Sequence, residues 1–152
     1  MDVVRGSAGR RLGGVLAGER AGMRGGEILV HGDAGDEAGA GLRRGLIAVA
    51  GTLGAAAGVR ALAGTLVALG GVGPRPGAAM RRATIVAMTP VTPLPTYALA
   101  AVYRPPFLRL ALNHLRALGL AVTDEQIEGR YARWSGDGLE LGRGEILILE
   151  PQ

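Results

Sequence analysis

The sequence predicts a mainly β chain: a right-handed parallel β-helix of about 19-residue coils with glycine-rich turns, and a small α+β C-terminal extension packing on it. Three observations carry this reading. Four stretches superimpose at an offset of 19 residues, each strand alternates apolar and variable positions, and prolines end the pattern after Met88. The column Gly26, Gly45, Gly64, Ala83 is followed by Ile28, Ile47, Leu66, Ile85, then Val30, Val49, Ala68, Ala87. Turn glycines align as Gly32, Gly51, Gly70, as Gly35, Gly54, Gly73, and as Gly39, Gly58, Gly77. Fixed-period self-similarity of this kind marks a solenoid, in which no unit buries its own apolar face and stacking supplies the core.

Each element follows from local chemistry. Ile28 and Val30 alternate with Glu27, Leu29 and His31, the period of two of a strand buried on one face, in a segment too short for a helix. Glycine suits the turns because it takes positive φ without steric cost and lets neighbouring backbones approach closely. The general crossover rule gives the right hand. Upstream, Val3–Gly6 resembles a strand end, and Gly6–Gly13 matches the turn Gly32–Gly39, so an insertion of about seven residues, roughly Gly14 to Arg20, delays the next strand. The chain is expected to begin in mid-coil, either shortened or closed by another subunit, because open solenoid ends need caps.

The strand positions that face away from the coil interior turn apolar: Leu46, Ala48, Ala50, then Thr65, Val67, Leu69, then Thr84, Val86, Met88. Such a strip is normally covered. Residues 1–89 form the coils and 90–152 the extension. Pro105-Pro106 opens a helix over about 105–118, with Leu108, Ala111, Leu112, Leu115 and Leu118 on one side, and this helix is expected over the strip. Thr123–Gln126 has capping-box spacing for a short helix over about 124–128. Arg130–Trp134 and Glu145–Leu149 read as two extended segments joined by a Gly/Asp-rich turn.

Composition narrows the chemistry. There are 27 glycines and 3% aromatic residues, so the core consists of small aliphatic ladders. All 17 basic residues are Arg against 13 Asp plus Glu, and there is no cysteine, which removes disulfides and thiolate metal sites. No signal peptide is evident, and a cytoplasmic protein is expected. Leu46–Val72 is nearly free of charge but carries Arg60 and keeps the strand period, so it reads as coil, not as a membrane span. Scarce aromatic platforms argue against nucleic acid.

No catalytic set, cofactor site or metal cluster is legible; His31 and His114 are the two histidines, and His31 reads as a surface or interface residue. Asp33, Asp36 and Glu37 do not recur in later coils as a calcium-binding roll would require, so they read as a solvated turn. The Gly-x-x-Gly turns open no helix and hold no phosphate. Arg24, Arg43 and Arg81 fall at equivalent coil positions, with Arg44 and Arg82 beside the last two. A stripe of guanidinium groups suits carboxylates through charge-assisted hydrogen bonds, so these five are the candidate contacts for an acidic partner surface; a merely solvated face is the competing reading.

The coils Gly32–Gly45 and Gly73–Arg82 resemble the C subunit of formylmethanofuran dehydrogenase, whose glycine repeat the β-helical C-terminal domain of glutamate synthase shares. Tyr103–Leu110, Leu115–Gly119, Gly129–Tyr131, Ser135–Asp137 and Leu141–Leu147 resemble the end of the bacterial version, the C subunit of the formyltransferase/hydrolase complex. The resemblance covers nearly the whole chain and departs at the front, where the family has further coils. It implies a non-catalytic scaffold in tetrahydromethanopterin-linked one-carbon metabolism, in which formyl groups pass to a methanofuran-type carrier and leave as formate, completing formaldehyde oxidation. Amidohydrolase-like and formyltransferase-like partner subunits would hold metal and carrier, and the Arg stripe would meet a partner or the glutamate-bearing tail of the carrier. The alternative is a glutamate synthase-type β-helix domain working with flavin and iron–sulfur subunits.

Overall fold

The computed structural model describes residues 1–14 and 22–151. Five strands carry the repeat: β1 (Asp2–Val4), β2 (Arg24–Val30), β3 (Arg44–Val49), β5 (Thr65–Ala68) and β7 (Thr84–Ala87). They pair in parallel, β1 with β2, β2 with β3, β3 with β5 and β5 with β7. Ile28, Ile47, Leu66 and Ile85 are direct partners in that ladder, the column read from the sequence. Two short strands, β4 (Thr52–Leu53) and β6 (Gly71–Val72), pair in a second, two-stranded sheet. Ala34 bridges both Ala8 and Leu53, so the turns stack as the strands do.

The front of the chain keeps this stack at a different offset. Asp2 pairs with Ile28 and Val4 with Val30, an offset of 26 where later coils have 19, which is the seven-residue excess expected. The predicted insertion at Gly14 to Arg20 falls almost wholly on residues 15–21, outside the described residues.

Two faces of the large sheet are apolar. On one, Val30, Ile47, Val49, Leu66, Ala68 and Ile85 meet Leu53 of β4 and Leu42, Ala57, Ala61 and Met80 from the turns. On the other, Leu29, Ala48, Val67 and Val86 lie under helix α1 (Pro106–Ala117), which buries Leu108, Leu112 and Leu115 against them. The helix begins with Pro at its first turn and carries Arg116 in its last, a favourable sign of charge for its C-terminal carbonyls. Helix α2 (Asp124–Glu128) has the capping box: Thr123 Oγ1 accepts from Gln126 N, and Gln126 Oε1 accepts from Thr123 N. Among the described residues, no helix is long and apolar enough to cross a membrane.

The tail does more than flank the coils. Strands β9 (Tyr131–Gly136) and β10 (Gly144–Leu149) form an antiparallel hairpin, and β10 adds to β7 in parallel. Ile146 therefore pairs with Ile85 and Leu147 with Val86, continuing the inner and outer ladders after the repeat itself has stopped. An edge strand β8 (Ala98–Tyr103), not anticipated from sequence, completes the eight-stranded sheet beyond β9. Tyr97 closes the core near this end, its hydroxyl donating to Gly77 O at 2.7 Å. Burial is the main reason its phenol is pushed well above the ordinary tyrosine range, with the Asp137 charge adding to it.

Candidate functional site

Where the coils enter β3 and β7, the chain carries two arginine pairs, Arg43-Arg44 and Arg81-Arg82. The intervening coil has Leu62-Ala63 at that place, so the pairs stand two coils apart with a small apolar step between them. Stacked strands lie about 4.8 Å apart, which separates the pairs by about 10 Å. The turn between β9 and β10 supplies the remaining wall: Glu140, Leu141 and Arg143 complete a cleft of about 600 Å³. Arg81 Nε lies 3.4 Å from Glu140 Oε2, the single ion pair that the described residues make in this cleft. Five guanidinium groups thus face one carboxylate, a field suited to an anionic occupant.

Asp137 fixes that wall. It is 3% exposed, and its carboxylate accepts from Ala79 N at 2.9 Å and Leu139 N at 3.0 Å, tying the wall to the last turn of the coils. Burial acts to raise its pKa, but the N–H groups of Leu139 and Ala79 outweigh it and hold the carboxyl below the usual aspartate value. A depressed native pKa adds stability that is full above the unfolded value of about 3.9 and is lost as pH falls through the native one. Asp137→Asn puts an amide N–H where an acceptor is needed. It is expected to cost about 1–3 kcal/mol near pH 7 and to flatten the acid limb of the stability profile, which chemical denaturation at stepped pH would read out.

Four of the five candidate arginines are therefore brought together, and Arg24 is not among the lining residues. The strand ladder pairs Arg24 with Arg44, one place beyond the expected Arg43, because a register shift falls between Arg24 and Glu27. Arg143 and Glu140 were missed. Their charge is visible in the turn sequence, but only the pairing of β10 with β7 carries them to the arginines.

The other polar residues have structural partners. Asp33 Oδ1 accepts from Thr52 N and Asp36 Oδ1 from Ala55 N, both at 2.8 Å, so each acid satisfies a backbone donor of the next coil. Glu37 accepts from Arg11 and Arg10, which hold its carboxyl below the usual glutamate value. His31 donates its backbone N–H to Val4 O, and His114 Nε2 lies 2.8 Å from Glu27 Oε1, pinning α1 to β2. Among the described residues, no group of three or more His, Cys, Asp or Glu side chains is placed to share a metal ion.

No protein-family model matches the chain, and no curated protein matches it. Among solved structures, it is similar to a chain in the X-ray structure of the formyltransferase/hydrolase complex FhcABCD from Methylorubrum extorquens, in complex with methylofuran. The sequences are 38% identical, and the match has a TM-score of 0.89 and covers 98% of this chain and 56% of that one. The present chain thus spans just over half the length of its neighbour.

Proposed function

We infer that this chain is a non-catalytic scaffold of a formyltransferase/hydrolase-type complex, in the place of its C subunit. The observation that carries the reading is the neighbour in FhcABCD, matched at 38% identity along 98% of the chain. The 19-residue ladder, with turns bonded as regularly as strands, supports a parallel β-helix, and the crossover rule assigns it the right hand. In this reading amidohydrolase-like and formyltransferase-like subunits hold the metal and a methanofuran-type carrier, while the coils supply a rigid surface between them. The complex would work in the cytoplasm, in tetrahydromethanopterin-linked formaldehyde oxidation. The Arg cleft is the contact this chain would offer to a partner.

Affinity purification of the tagged chain from its own cells, with mass spectrometry of co-eluting proteins, tests this. Recovery of amidohydrolase-like and formyltransferase-like subunits in near-stoichiometric amounts is expected. Flavin and iron–sulfur subunits instead would favour the glutamate synthase-type alternative, and a chain eluting alone would overturn the scaffold role.

A further inference from the structure

We propose that the cleft between Arg43-Arg44, Arg81-Arg82 and Arg143 is a docking groove for an extended, acidic polypeptide segment of a partner chain. The proposal deepens the scaffold reading and rests on it. Three features of the cleft select this occupant. First, the positive charge is distributed: two guanidinium pairs stand about 10 Å apart along the stack, and Arg143 faces them from the opposite wall. An extended chain places alternate side chains on one face about 6.6 Å apart, and flexible Glu and Arg side chains cover the difference, so one acidic segment reaches both pairs. A small anion matches less of this charge and none of the apolar step between the pairs.

Second, the groove is apolar between the charges. Leu62 and Ala63 floor it, and Leu141, 82% exposed, stands at its rim, which suits aliphatic side chains interleaved with carboxylates. Third, the walls are rigidly held. Arg81 N donates to Ala61 O and Arg82 N to Leu62 O, and Asp137 anchors the facing turn, so little order has to be imposed on binding. Arginine, with its planar fork, takes carboxylates in pairs where lysine offers a point charge.

The test is fluorescence anisotropy with the full chain and a labelled ten-residue peptide in which Glu and Leu take turns along one face of the extended chain, with Ser at the positions between them. The expected result is saturable binding that weakens as salt rises, is absent for the Gln counterpart, and falls at least ten-fold in Arg44→Ala/Arg82→Ala/Arg143→Ala. Arg5→Ala/Arg104→Ala, which removes charge elsewhere, should leave binding within two-fold; circular dichroism and melting confirm that both variants are folded. An oligoglutamate of equal charge but no apolar side chains should bind at least ten-fold more weakly, and citrate should not compete at equal concentration. Unchanged binding by the cleft variant, equal binding of oligoglutamate, or effective competition by citrate would overturn the proposal. The pull-down separates the two ideas: partner recovery without peptide binding sinks the groove and spares the scaffold, whereas peptide binding without partner recovery sinks the scaffold and leaves a groove for an acidic segment from outside such a complex.

Discussion

Gly70→Ala is expected to destabilise the protein by about 3 kcal/mol, although the change adds only one methyl group. A Cβ on Gly70 would sit 2.6 Å from Gly51 O and 2.7 Å from Gly51 C, and both are backbone atoms of the neighbouring coil. Those atoms are held by Gly70 N donating to Gly51 O at 2.8 Å and Gly51 N donating to Gly32 O at 2.9 Å, so the obstruction cannot rotate away. Overpacking a well-packed site costs about 1–3 kcal/mol, and a backbone obstacle belongs at the upper end. For a chain of this size that corresponds to a melting point lower by about 6–12 °C. Gly25→Ala is the matching control: nothing lies within 4 Å of its Cβ, and stability should stay within about 0.5 kcal/mol. Scanning calorimetry of the two variants decides the matter, and equal melting points would show that the turns do not depend on close coil-to-coil approach.

The same residues show why the coils were legible in sequence, as were the two tail helices, whereas strand β8 and the pairing of β10 with β7 were not. A glycine that admits no Cβ must recur wherever two backbones meet at that distance, so the constraint is printed in the chain at Gly32, Gly51 and Gly70. The left-handed positions are less visible. Gly39, Gly58 and Gly77 take φ near +70°, but so, at +55° to +59°, do Glu37, Ala56 and Arg75 two places earlier, where composition gives no hint. Strand β8 is apolar throughout and exposed over Ala98–Ala101, so it lacks the alternation that identifies a half-buried strand. Strand β10 takes the place of a further coil without any of the turn motif, because pairing with β7 asks only for Ile146 and Leu147 on opposite faces. The candidate site divides along the same line. Its repeat-borne arginines, Arg43, Arg44, Arg81 and Arg82, were readable, whereas Glu140 and Arg143 depend on a pairing between segments 61 residues apart, Thr84 with Glu145.

Leu112→Ala is expected to cost about 3 kcal/mol and to loosen the helix from the sheet. Leu112 is 0% exposed, between Leu108 and Leu115 on the face of α1 that covers Leu29, Ala48, Val67 and Val86. Truncating a buried leucine removes its transfer free energy and leaves a cavity, for a total of about 2–5 kcal/mol. Here neither wall can collapse easily: the sheet side is tied by the parallel ladder, and α1 is held at its flanks by Glu27–His114, Arg109–Glu128 and Arg116–Asp124. Those side-chain contacts are partly exposed and contribute little individually, so they position the helix while the leucines stabilise it. The apolar strip thereby released is continuous across four coils and extends to Leu147 of β10, which makes it a ready surface for self-association. A lowered melting point together with dye binding to exposed apolar surface is the expected outcome. Leu110→Ala, on the outer side of the same helix at 73% exposure, should change neither readout. If Leu112→Ala melted like the parent, the covering of the strip by α1 would not be what stabilises the outer face of the sheet.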